Sequence, residues 1–189
     1  MVEYKKSLLR AFENLKEARE SLYFAVALFF IGAVAGLLQP NRFDPYIGAF
    51  RQFLEHFEGR STPVLIIMIF FQNLSAAFLS FWLGMILGLV PAVSAVTNGL
   101  LLGLVLSLRA DIGLTAIILK LLPHGVFEIP AMVIAWGLGI WRGSWLLRKN
   151  REESYRDRAG KAYHVFFFLV IPLLMIAAVI EGSLIALSR

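Results

Sequence analysis

The sequence predicts an all-α membrane protein: a bundle of about five transmembrane helices, with a proline-broken fourth helix and amphipathic helices along the interface. Hydrophobic residues make up 59% of the 189 and charged residues only 16%, with a mean hydropathy of +0.74. That balance is foreign to ordinary soluble domains. The charges cluster in short segments that bracket long apolar runs. Each run approaches or exceeds the ~20 residues that cross a ~30 Å hydrocarbon core as helix. A single integral membrane domain, 1–189, accounts for the whole length. The formal charge of +5 would suggest nucleic acid in a soluble protein. Here the basic residues flank apolar spans, so the expected partner is the lipid bilayer with its anionic headgroups, and no nucleic acid. The absence of cysteine excludes disulfides, thiolate metal sites and a cysteine nucleophile. The first apolar run starts only near Leu22, behind a charged segment, so no cleavable signal peptide is expected.

The elements follow in order. Over 1–21, Leu8, Ala11, Phe12, Leu15, Ala18 and Leu22 recur at spacings of three and four, while Lys5, Lys6, Arg10, Lys16 and Arg19 mostly take the other side. This predicts an amphipathic helix along the headgroups, against the blander alternative of a solvated helical tail. Residues 22–38 carry no charge and form the first crossing, with Gly32 and Gly36 at the small-xxx-small spacing that lets helix backbones approach. Over 41–62, Ile47, Phe50, Phe53, Leu54 and Phe57 share one helical face, which predicts an external interfacial segment. His56 within it is read as solvated.

From Ser61 to Leu108 no residue is charged and none is histidine. Roughly 72 Å of helix results, enough for two crossings of a ~30 Å core. Pro91 is the expected divider, because helices tend to end before proline. The crossings are then 64–90 and 92–108, a break at Gly84 being less economical. Two further small-xxx-small pairs, Gly84 with Gly88 and Gly99 with Gly103, suggest a tightly packed bundle or a homo-oligomer. Residues 112–141 form the fourth crossing, 142–162 a basic loop and 163–187 the fifth crossing. Trp136, Trp141 and Trp145 are expected in an interfacial aromatic belt, and His164 at headgroup level.

Counting basic residues tests the topology. The amino-terminal segment and the 142–162 loop carry twelve between them, and the opposite side carries five. That asymmetry predicts the cell membrane, with the amino terminus cytoplasmic and the carboxyl terminus extracellular.

The unusual residues lie in the fourth crossing. Pro123 and Pro130 each remove a backbone donor and predict a kinked or broken helix. His124 and Glu128 stand four residues apart, and Lys120 precedes them by four on the same face. Ionisable groups at membrane depth mark a functional site by default. Asn73 and Asn98 fall near the middle of their own helices, so a midplane site of His124, Glu128, Pro123, Gly125, Asn73, Asn98, Gly99 and Lys120 is expected. His124 and Glu128 could bind a divalent cation if Asn73, Asn98 or freed carbonyls completed the shell, or could relay a proton. The structural alternative is an internal pair, with Lys120 or Glu181 as further partner, that locks the helix in shape. For Asn73 and Asn98 it is interhelical bonding, and for the hydroxyls of Ser94 and Thr97 bonds to their own helix. No complete metalloprotease motif is present, and no serine or cysteine nucleophile stands beside the histidine. No catalytic residue, and hence no enzyme, is expected.

Taken together, Phe70-Phe71-Gln72-Asn73, Pro91 with Asn98-Gly99 and Gly103, and Pro123-His124-Gly125 with Glu128 resemble the stage II sporulation protein M family. The resemblance spans the chain, and the string Leu122-Pro123-His124-Gly125 with Glu128 is its most specific mark. It implies a polytopic membrane protein without established enzymatic activity. Sporulation members resemble scaffolds that work with a peptidoglycan hydrolase and a second membrane-anchored factor. Two functions from different classes therefore stand: a scaffold or assembly factor for other membrane or envelope proteins, and a small ion or solute transporter or permease subunit working at the midplane site.

Overall fold

The computed structural model describes residues 2–39, 59–108, 114–147 and 154–187. The 41–62 segment falls almost wholly outside them. The described residues are helical, without a strand: α1 Val2–Glu17, α2 Arg19–Leu38, α3 Thr62–Leu83, α4 Leu89–Leu108, α5 Leu114–Gly143, α6 Tyr155–Val165 and α7 Ile171–Leu187. A 3₁₀ turn, Ser144–Leu147, follows α5, and a π-helical stretch, Phe166–Val170, joins α6 to α7. Pro172 follows that stretch closely; it has no N–H to give the preceding turn, and a widened turn is one way to absorb the loss. Four stretches, Arg19–Leu38, Thr62–Leu83, Leu89–Ser107 and Tyr155–Leu187, are long and apolar enough to cross a membrane. The chain is an all-α membrane protein.

The contacts fix the helix directions. Gly32 meets Val96, and Gly36 meets Leu100 and Leu104, so α2 and α4 run parallel. Pro91 meets Gly139 while Asn98 and Leu102 lie near Glu128 and Gly125, so α5 opposes α4. Phe81 meets Tyr163 and Phe166 while Ile66 meets Gly182, so α3 opposes α7. Direction thus alternates through α2, α3, α4, α5 and α7, which puts α1, α6 and the α3–α4 turn at one end.

Two of the three glycine pairs are used on each other. Gly32 and Gly36 of α2 lie against the α4 backbone, and Gly99 and Gly103 of α4 lie against the α2 backbone at Phe29 and Ala33. A methyl group at any of the four would overlap a carbonyl oxygen of the facing helix. Lipid tails are as apolar as leucine, so such contact gains its energy from dispersion at short range rather than from expulsion of water.

The third pair corrects an expectation. Gly84 and Gly88 do not lie inside a helix; they bound the turn that ends α3, and the break comes there rather than at Pro91. Leu87 at φ 52° and Gly88 at φ 73° are both left-handed, a conformation no helix can continue through. Pro91 instead sits in the first turn of α4, where its missing N–H costs nothing. Gly84 packs on Gly139, and Gly143 lies under Gly88.

Four further expectations change. The fourth crossing is not divided by its prolines: α5 is one helix of 30 residues with Pro123 and Pro130 inside it. The 142–162 segment is not a plain loop, since it holds the end of α5, the 3₁₀ turn and most of α6. Ser154 starts α6 by accepting from the Asp157 amide at 3.1 Å and donating to its carboxylate at 2.6 Å. Arg142 and Arg158, expected to face lipid headgroups, are 2% and 4% exposed. Arg142 donates to the carbonyls of Phe81 (2.9 Å) and Trp82 at the end of α3, and lies over the Phe81 ring. Arg158 donates to the Trp141 carbonyl at 3.1 Å and lies over that indole. Trp136 and Trp141 are buried in the core rather than set in a belt.

The amino-terminal helix uses its apolar stripe on protein. Ala11 and Ala18 are fully buried, with Leu8 and Leu15 packed beside them. Tyr4 meets the Phe168 ring, and Lys161 of α6 grips Glu17 through both carboxylate oxygens at 2.7 and 2.8 Å. Leu9 and Phe12 stay exposed on the far side.

Candidate functional site

Glu128 stands midway along α5, Asn98 midway along α4 and Phe29 midway along α2. The three helices meet around a cavity of about 160 Å³ lined by Phe29, Asn98, Leu102, Gly125, Glu128, Ile129, Met132 and Trp136. Gly125, Glu128, Met132 and Trp136 recur at intervals of three and four, a single stripe of α5. The α2–α4 glycine contact holds the facing wall, because Asn98 adjoins Gly99 and Phe29 supplies the carbonyl on which Gly99 rests.

The polar groups are few and each has a definite orientation or deficit. Asn98 donates its side-chain amide to the Ser94 carbonyl at 2.8 Å, which leaves its oxygen as the acceptor. Trp136 is 1% exposed, stacks on Phe29 with ring centres 5.9 Å apart, and buries its indole N–H without an acceptor among the described residues. Glu128 is partly buried. Pro130 has no N–H for the Val126 carbonyl, and Pro123 none for that of Leu119. Gly125 adds no side chain, and among the described residues a methyl there would meet only Ile129, at 3.6 Å.

The structure brings together three of the expected site residues, Asn98, Gly125 and Glu128. Pro123 and His124 belong to the adjoining turn of α5, but the side chains of His124 and Lys120 lie outside the described residues. Asn73, half-buried on α3, does not line the cavity. Gly99 is a packing residue: its bare face is taken by α2. No group of three His, Cys, Asp or Glu able to hold a metal occurs among the described residues, so of the two expected metal ligands only Glu128 is placed. Thr97 bonds the Val93 and Ser94 carbonyls of its own helix, both at 3.1 Å, as its structural alternative has it. His164 is packed on Phe168, with its Nδ1 buried and without a hydrogen-bond partner among the described residues.

Phe29, Met132 and Trp136 were missed by sequence reasoning. The α5 stripe was visible in the spacing, yet Trp136 resembled a belt residue because it precedes a basic segment. Chemically, the lining offers the Glu128 carboxyl group, the Asn98 amide oxygen, two aromatic side chains and apolar walls. It can hold a small polar or cationic species; it has few oxygens with which to build a coordination shell.

The family model for stage II sporulation protein M matches residues 25–184. The chain belongs to that family. The stage II sporulation protein M match takes in every cavity residue and most of the long helices, and leaves out α1. No curated protein and no solved structure matches the chain.

Proposed function

We propose that this member of the stage II sporulation protein M family is a non-enzymatic scaffold or assembly factor in the cell membrane, with α1 and α6 cytoplasmic and the carboxyl terminus extracellular. The observation that carries the reading is the platform at one end of the bundle. There α1 is fastened to α6 through Glu17 and Lys161, and α3 to α5 through Arg142. The same end leaves Leu9 and Phe12 of α1 and Met85, Ile86 and Leu87 of the α3–α4 turn exposed. A rigid end with apolar side chains suits docking to other membrane or envelope proteins. The basic residues of α1 and α6 favour the cytoplasmic side for it. A photo-crosslinking amino acid at Phe12 and at Ile86, activated in intact cells, tests this. A discrete protein adduct at both positions supports the scaffold; adducts to lipid alone would sink it.

A second reading, a small ion or solute permease subunit, draws on the cavity at mid-depth. It predicts flux in proteoliposomes that Glu128→Gln abolishes while the helix content and the unfolding temperature stay as they were.

A further inference from the structure

We propose that α1 is a proton-gated arm. It lies against α6 and the π-helical stretch while His164 is neutral, and it swings out about Ala18 when His164 takes up a proton. Leu9 and Phe12 travel with it, so the proposal concerns when that face is presented and stands apart from what docks on it.

The arm has a hinge and a narrow seat. Ala18 alone separates α1 from α2, at φ −90° and ψ 3°, and no side chain caps the start of α2. The seat combines the small buried side chains of Ala11 and Ala18, the part-exposed pair of Glu17 with Lys161, and Tyr4 on Phe168 with ring centres 5.9 Å apart. His164 joins that aromatic contact, its ring centre 4.7 Å from the same Phe168. The stretch Tyr155–Leu187 has 33 residues, more than the ~20 a crossing takes. Its basic residues all lie in α6, which is the part outside the crossing.

The docked arm leaves a second imidazole proton without a place. A neutral imidazole carries one N–H and an imidazolium two. The Nδ1 of His164 is buried without a partner among the described residues, so a proton there would be a buried donor left unmet. It would also add a positive charge within reach of Arg10 on α1. The other ionisable groups around this contact do not answer that charge. On α1 they are Glu3, Lys6, Glu13 and Glu17, on α6 Asp157 and Lys161, and the π-helical stretch has none. Glu17 and Lys161 hold each other, and Asp157 takes the Ser154 hydroxyl. Among the described residues only Arg10 makes its charge felt at the imidazole. Docking therefore favours the neutral ring, through burial first and Arg10 second. A group that binds its proton less well docked than free supports docking above its free value, ~6.5 for histidine. That support is withdrawn as the pH falls below it.

The test uses the full chain in phosphatidylcholine nanodiscs. The chain has no cysteine, so Lys5→Cys with Arg156→Cys puts one spin label on the arm and one on α6, both at exposed positions. The distance between the labels is read from about pH 7.5 to about pH 5.5, above the range in which ordinary carboxyl groups titrate. A narrow distance distribution at the upper end should give way to a longer and broader one, with the docked-to-released ratio falling about tenfold. His164→Gln and His164→Asn place an amide where the ring nitrogens stand but take up no proton, and should hold the ratio constant. A constant ratio in the labelled parent would overturn the proposal. So would the same fall in either His164 variant whose arm is docked at the upper end.

Discussion

Arg142 of α5 closes the carboxyl end of α3 by donating to the Phe81 carbonyl oxygen at 2.9 Å. It shares the Trp82 carbonyl as well, and its guanidinium carbon sits 4.5 Å from the Phe81 ring centre and 5.6 Å from that of Tyr163. The Phe81 and Trp82 carbonyls already accept from the turn amides of Gly84 and Met85, so Arg142 adds a second donor to each and meets the negative end of the helix dipole. Hydrogen bonds from a charged donor contribute ~1.5–3 kcal/mol. Arg142→Met should therefore lower unfolding stability in detergent by about 2–4 kcal/mol. Arg142→Lys should recover only part: one ammonium nitrogen can serve the two carbonyls as the single guanidinium nitrogen does, but it cannot lie flat over the Phe81 ring. A neutral Arg142→Met would show that the contact contributes nothing.

The glycines of α2 and α4 give a prediction with an internal control. A methyl at Gly32 or Gly99 would strike the backbone of the facing helix, which cannot yield as a side chain could. Either substitution to Ala should cost ~1–3 kcal/mol as the helices are pushed apart. Gly160 lies within α6 with nothing within 4 Å of an added methyl among the described residues. There the same substitution should stabilise by up to ~1 kcal/mol through helix propensity alone. Thermal unfolding of the three variants side by side separates packing from propensity.

Much of this architecture was legible in the residues, and the exceptions share a cause. Span lengths and apolar periods are local quantities, so the helical class and the long apolar runs could be read directly. The glycine spacings signalled close packing, but which helix met which is a matter of tertiary geometry. Arg142 and Arg158 resembled loop charges because their partners, the carbonyls of Phe81 and Trp141, advertise nothing in a sequence. The α3–α4 turn hid in a run without polar punctuation, and it relies on Leu87 adopting a left-handed conformation that leucine rarely takes. The Ser154–Asp157 cap was a readable start signal for α6, lost among the basic residues around it. At the site, Glu128, Gly125 and Asn98 stood out as polar or bare positions in apolar surroundings. Phe29 and Met132 did not, since nothing distinguishes a cavity wall from ordinary core.

The pair that fastens α1 should prove weak. Lys161 and Glu17 are 35% and 42% exposed at the side chain, and ion pairs in that setting are usually worth 0.2–1 kcal/mol. A double-mutant cycle with Lys161→Ala and Glu17→Ala should return a coupling within that range, falling further in high salt. Ala11→Leu should do more damage, because Ala11 is fully buried and a larger side chain there would lever α1 off the bundle. Proteolysis of α1 at its junction with α2 would report the release. Should the ion-pair variants release α1 and Ala11→Leu leave it docked, the apolar stripe would not be what holds it.

Gly125 offers the sharpest separation of structure from purpose. Glycine within a helix costs ~1 kcal/mol relative to alanine, and the glycines of α2 and α4 are justified by the backbone pressed on them. Gly125 has no such neighbour among the described residues, since a methyl there would meet only Ile129, at an ordinary contact distance of 3.6 Å. What its bareness preserves is volume beside Glu128 and Asn98. Gly125→Ala should therefore raise unfolding stability by about 0.5–1 kcal/mol, and Gly125→Leu should fill much of the cavity. If the cavity matters only for packing, filling it adds contacts and the activity of the native complex in cells is unchanged. If it holds a ligand, Gly125→Leu should abolish that activity while the purified chain stays as stable as the parent. A variant that is more stable and inactive would place function in the empty space; one that is unstable would show that Gly125 is needed for packing after all.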